Sequence, residues 1–161
     1  MRGLRWCVAM LLALSCAAVL ACEPSNVKDA MSGQKANFKD LPNMIGAMKG
    51  TWVGCDDSGN PVKITVSNYG TVDGTMAHYG NDHRTDYTNC SWHALRNSMV
   101  FPNVGSYSVN VTAIACAEDP KAQDATHGDT GQLYLFGGRD TISYIVVEVK
   151  NRNYAVVKKA P

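Results

Sequence analysis

The chain carries no recognisable catalytic signature. It has no H-E-x-x-H pair, Gly105-Ser106-Tyr107 is not a nucleophile elbow, and Asp56-Asp57 fall in a hairpin turn rather than flanking a cleft. Basic clusters are equally scarce, with Lys158-Lys159 the one adjacent pair, which excludes a nucleic-acid groove or a polybasic membrane patch. The four histidines are His78, His83, His93 and His127. Cys90-Ser91-Trp92-His93 brings a thiol near an imidazole, but a strand sends positions i and i+3 to opposite faces, so neither a metal site nor a Cys–His nucleophile pair is expected. No catalytic residue, metal ligand or cofactor is assigned, and the chain is read as a non-enzyme.

What is present starts with a leader. Met1 to Arg5 is basic, and Trp6 to Leu20 is apolar apart from Ser15. That run is shorter than the about 20 residues of a membrane-spanning helix and ends in Ala21-Cys22 followed at once by Glu23-Pro24, the pattern of a cleaved export signal. Without Arg2 and Arg5 the 15 basic residues of the chain fall to 13 against 14 acidic ones, a net charge of −1. About 140 residues then remain, the usual size of one domain.

Val19-Leu20-Ala21-Cys22 resembles the lipobox of bacterial lipoproteins. The resemblance implies cleavage after residue 21, lipid on the Cys22 sulfur and a second acylation on its amine. Two or three acyl chains anchor stably, at about 0.8 kcal/mol per buried methylene, whereas one does not. It places the protein in the cell envelope, on the outer membrane at its periplasmic or surface side. The alternative is plain secretion, because Val19 and Ala21 also satisfy general signal peptidase; Ala13-Leu14-Ser15-Cys16 is an earlier, poorer match to the lipobox.

Residues 22–39 are polar, and Glu23 to Lys39 lacks apolar periodicity, which predicts a flexible tether with a reach of roughly 20 to 25 Å. The domain follows as residues 40–161. Asp40 as cap, Pro42 in the first turn and a stripe of Leu41, Met44, Ile45 and Met48 predict a short helix closed by Gly50. Turn signals then recur at strand-length intervals: Ser58-Gly59-Asn60, Asn68-Tyr69-Gly70, Gly80-Asn81-Asp82, Arg96-Asn97-Ser98, Val104-Gly105, Gly137-Gly138 and Asn151-Arg152-Asn153. Val62, Ile64 and Val66 alternate with polar residues, as do Val109, Val111, Ala113 and Ala115. Leu133 to Phe136 and Ile142 to Val149 are apolar on both faces, which suggests either coverage by the helix or a place in the middle of a sandwich. The expected fold is all-β: a small antiparallel barrel or sandwich of eight or nine strands with one short N-terminal helix.

The short helix running into Gly50-Thr51-Trp52 resembles the start of lipocalins and related calycins. That resemblance implies an eight-stranded barrel with Trp52 packed at its closed end, and Arg152 as the late arginine stacked over it. Thr85-Asp86-Tyr87 repeats a second lipocalin signature, but it begins 33 residues after Trp52, earlier than in that family.

Cys7 and Cys16 belong to the leader. If lipid uses Cys22, then Cys55, Cys90 and Cys116 allow one disulfide and one free thiol, with Cys90–Cys116 preferred and Cys55–Cys116 the alternative. Trp52, Tyr79, Tyr87, Trp92 and Tyr107 are candidate binding residues, as are Glu118, Asp119, Asp124 and Asp129 in the long stretch from Ala117 to Asp129, which lacks the ligand spacing of a calcium loop. The expected function is a membrane-anchored envelope binding module for a protein or cell-wall partner, in one concrete form an inhibitor or immunity protein with a protruding loop. In size and anchoring the chain resembles the lysozyme-inhibitor lipoproteins, without their S-G-x-x-Y loop. The alternative is a lipocalin-like carrier of a small apolar ligand in the barrel. Replacing Cys22 by Ser is expected to move the chain from the membrane to the soluble fraction of an envelope preparation; a variant that stays membrane-bound removes the anchor.

Overall fold

The computed structural model describes residues 22–80, 86–99, 105–117, 123–124 and 129–161. Two helices, α1 (Val27–Ala30) and α2 (Leu41–Met48), precede β1 (Gly50–Asp56), β2 (Pro61–Val66), β3 (Val72–Gly80), β4 (Asp86–Arg96), β5 (Ser106–Ala115), β6 (Gln123–Asp124), β7 (Thr130–Phe136), β8 (Tyr144–Val149) and β9 (Arg152–Lys159). All strand pairs are antiparallel. Pairing of β1 with β9 and of β4 with β5 closes eight strands into a barrel, and the two-residue β6 flanks β5. An eight-stranded barrel is just wide enough inside for its own side chains or for one small ligand. Trp52, Ile64, Val72, Trp92, Tyr107, Leu133, Ile145, Val147 and Val157 are among those that fill it, so the barrel centre is a packed core.

The helix predicted from Asp40 to Met48 forms as expected. The Asp40 carboxylate accepts from the Asn43 N–H at 2.9 Å, Met44 and Met48 are buried, and Gly50 supplies the left-handed residue beyond the last turn at φ 112°. This helix plugs one end of the barrel. Trp52 lies against it and donates from Nε1 to the Met48 carbonyl at 2.6 Å. The cation over its ring is Lys159, with Nζ 4.9 Å from the ring centroid, not Arg152, which pairs instead with Asp57 at 3.2 Å. Register decides this exchange: β9 places Lys159 opposite Trp52 and carries Arg152 to the far, open end.

The predicted tether is ordered from Cys22 onward and runs across the outer face of the barrel as a strap. Ser25 N–H donates to the Asp56 carbonyl, Tyr144 OH to the Ala30 carbonyl, and Ala36 N–H to the Leu135 carbonyl, at 2.8, 2.9 and 2.9 Å. Phe136 and Val146, on the outward side of strands whose neighbours Leu135, Ile145 and Val147 face the core, are fully buried. The strap is thus what covers the strands that read as apolar on both faces. Polar composition misled the reading because backbone bonds and a few contacts dock it: the Lys35 ammonium lies 3.9 Å from the Phe136 ring centroid and 4.5 Å from that of Tyr134, and burial lowers its pKa. Phe136 in turn stacks on Tyr144 at 4.8 Å.

Several glycines are dictated by close approach, Gly74 and Gly70 among them. An added Cβ at Gly74 would lie 2.1 Å from Cε2 of Trp92, and one at Gly70 would meet the Tyr107 hydroxyl, which donates to the Gly70 carbonyl at 2.8 Å. Replacement of Gly74 by Ala is expected to cost about 1–3 kcal/mol in urea unfolding, as overpacking does. Gly46, with no atom within 4 Å of an added Cβ, is expected to gain about 0.5–1 kcal/mol as Ala.

Burial raises the Tyr107 pKa from 10.0 to about 12, against a smaller opposing pull from Arg96. The folded barrel therefore holds this proton more tightly than the unfolded chain does. Its contribution is complete below pH 10 and is lost as pH rises from 10 towards 12. Urea midpoints should fall across that window and fall less steeply in Tyr107→Phe; an unchanged slope would contradict the linkage.

Candidate functional site

On the outward face of β2–β5, two rows of residues cross four strands. One reads Thr65, Asp73, His93, Ala113 and the other Lys63, Thr75, Ser91, Ala115, each following the strand register. They line an open groove of about 420 Å³ in which Ala113, Ala115 and Ser91 are low and Lys63, Asp73 and His93 stand tall. Asp73 Oδ1 and His93 Nδ1 are 2.7 Å apart, with side chains 65% and 42% exposed, so the pair sits in water.

Local structure shapes this groove. Gly74 lets the Trp92 indole press against the β3 backbone from inside. A bulge on β5 places Thr112 between the residues paired with His93 and Ala94, and Thr112 Oγ1 donates to the His93 carbonyl at 3.3 Å. The extra residue flips the alternation beyond it, as a bulge must. Ile114 and Cys116 therefore point into the core, and Ala113 and Ala115, expected with Val109 and Val111 on the buried face, turn outward to floor the groove. Cys90 and Cys116 form a disulfide with Cα atoms 4.0 Å apart, pinning β4 to β5 beneath it.

The other expected residues divide three ways. Trp52, Trp92 and Tyr107 are core residues at 1–3% exposure and carry no surface patch, because their strands turn them inward onto the plug and the opposite wall. Tyr79 and Tyr87 pair directly across the β3–β4 ribbon, which runs past the end of β2 towards its tip; their side chains lie outside the described residues. Glu118, Asp119, His83, His127 and the side chain of Asp124 also lie outside them, whereas Asp129 forms an ion pair with Lys150 at 3.7 Å. His78 is exposed at the end of β3, and no group of three or more His, Cys, Asp or Glu suited to a metal occurs among the described residues.

Cys90 and His93 lie on opposite faces, the Cys90 sulfur in its disulfide and the imidazole in the groove. The second disulfide joins Cys55 to Cys22, with Cα atoms 5.8 Å apart, and not to Cys116. It fastens the start of the strap at the open end of β1. One sulfur carries either this bond or a lipid thioether. Near that end Asp56 is buried, its carboxylate accepting from Ser58 N–H, Asn60 N–H and Asn60 Nδ2 at 2.8–2.9 Å. Burial raises the pKa of Tyr154; the Trp92 indole N–H pulls it partly back, and the Asp56 charge adds to the rise.

The fold therefore defines the protein as a closed eight-stranded antiparallel barrel with a plugged end, an outer strap and an outer groove. Comparison with known proteins finds no matching family model, no matching curated protein and no matching solved structure.

Proposed function

We propose that this chain is an exported binding module of the bacterial cell envelope that grips a protein partner through the outer groove of β2–β5. The observation that carries this reading is the groove itself: an apolar floor of Ala113 and Ala115 rimmed by Lys63, Asp73, Thr75, Ser91 and His93. A dry centre with a polar rim is how protein interfaces bind, and a partner's apolar side chain over the alanines with a carboxylate on Lys63 fits it. The groove supports binding better than catalysis, because its Asp–His pair is open to water that an active site would exclude. A packed barrel centre likewise favours the surface over an interior ligand.

The β3–β4 ribbon rises from the same strands that wall the groove, which supports the narrower form of an inhibitor or immunity protein reaching into its target. Export is supported by the leader and by two disulfides, which persist in oxidising compartments. Acylation of Cys22 belongs to the same reading and takes the place of the bond to Cys55.

The mature chain from Cys22, used as bait in an envelope extract, should retain a stoichiometric protein that Ala115→Arg does not, with the thermal midpoint of the variant unchanged. Equal retention by the variant would remove the groove from the interface, and no partner at all would sink the reading.

A further inference from the structure

We propose that the binding face extends past the groove, across β1 to β9, and takes an acidic segment of the protein partner through Lys63 and Lys158, which flank Val53. The proposal rests on the groove reading above and names the chemistry of its partner.

Strand register lays this face out. Ala115, Ser91 and Thr75 follow one another from β5 to β3, and the Lys63 N–H donates to Thr75 Oγ1 at 3.0 Å. The row does not stop at the groove. Val53 of β1 pairs with Lys63 on one side and with Lys158 of β9 on the other. Lys63 alternates with the buried Val62 and Ile64, and Lys158 follows the buried Val157, so both lysine side chains leave the outer face. Neighbouring strands lie about 4.8 Å apart, which sets the two lysine backbones about 10 Å from each other. Between them Val53 is 42% exposed, one of few large apolar side chains left in water among the described residues. Past Lys158 the strap bounds the face, with α1 packed on β9 and Tyr144 OH of β8 donating to the Ala30 carbonyl.

Charge selects the occupant. Lys63 and Lys158 are exposed, and neither enters an ion pair among the described residues. Asp73, the acid on the same rows, is engaged by His93 at 2.7 Å. On the strap, Asp29 accepts from Asn26 and is preceded by Lys28. Glu23 follows Cys22, whose carbonyl lies against Gly59, so this acid starts from the β1–β2 turn, where Asp57 is paired with Arg152. At the other end of β1 stand two more cations, Lys49 and Lys159. The middle of the face is therefore two ammonium groups with a valine between them. A basic partner is repelled, and a purely apolar one strips water from two unpaired charges. Two carboxylates about 10 Å apart, with an apolar side chain between them, meet both lysines and Val53 at once. From Lys63 the same segment continues over Thr75 and Ser91 to the alanine floor of the groove.

The test uses the mature chain from Cys22 with both disulfides closed, labelled for amide NMR, and two capped peptides, Glu-Ala-Leu-Glu and Lys-Ala-Leu-Lys. The acidic peptide should shift the amides of Val53, Lys63 and Lys158 saturably at low ionic strength, and the basic peptide should leave them in place. Lys63→Glu combined with Lys158→Glu should weaken the acidic peptide by about tenfold or more, and Val53→Ser by severalfold, with thermal midpoints unchanged. Should the double reversal lower the midpoint, Lys63→Gln with Lys158→Gln reads the same loss. No shift, equal shifts from both peptides, equal shifts at every exposed lysine, or binding that survives the charge reversal each overturn the proposal. If Ala115→Arg loses the captured protein while the peptides show no preference for acid, the groove stands and this choice of partner falls.

Discussion

Closure of the sheet is the constraint on which the rest of this protein depends. An eight-stranded meander left open would present β4 and β5 as bare edges, and their pairing removes both. Closure demands that the strands bend sharply and that the enclosed space be filled. Gly74 gives way to the Trp92 indole, Gly70 to the Tyr107 hydroxyl, and the Thr112 bulge takes up the mismatch between β4 and β5. The concavity on the outer face is a product of these same devices.

The two ends of the barrel are finished differently. At one, α2 caps the core, and the Met48 carbonyl, the Trp52 indole and the Lys159 ammonium settle on one another through a hydrogen bond and a cation–π contact. Lys159 Nζ also donates to the carbonyls of Ala47 and Lys49 at the end of the helix, where a cation is favoured. At the other end two disulfides hold the strap and the β4–β5 seam. The plugged end reads as scaffold, and the groove, ribbon and strap start lie towards the open one.

Much of the fold was legible in the residues because it is local. The Asp40 cap, the stripe from Leu41 to Met48, Gly50 beyond it and the turn glycines Gly59 and Gly70 each act within a few positions, and each stands where its chemistry requires. The last turn is displaced: Lys150 and Asn151 take the left-handed conformation at φ 55° and 60°, and β9 already begins at Arg152. The candidate site was not legible. Lys63, Asp73, Thr75, Ser91 and Ala115 come from four strands, and alternation can say that such residues face outward but not which of them meet. Ala113 and Ala115 defeated even alternation, since a bulge reverses it and leaves no composition signal.

The sequence by itself determined that this is an all-β chain with a short capped helix, because helix caps, turn glycines and apolar alternation are local instructions. Tertiary structure alone decided that the polar residues after Cys22 lie down as a strap, that Lys159 rather than Arg152 covers Trp52, that Cys22 faces Cys55, and that a groove forms over β2–β5. Each of these is a meeting of residues far apart in the chain, set by barrel closure and strand register, and no local pattern encodes where such partners arrive.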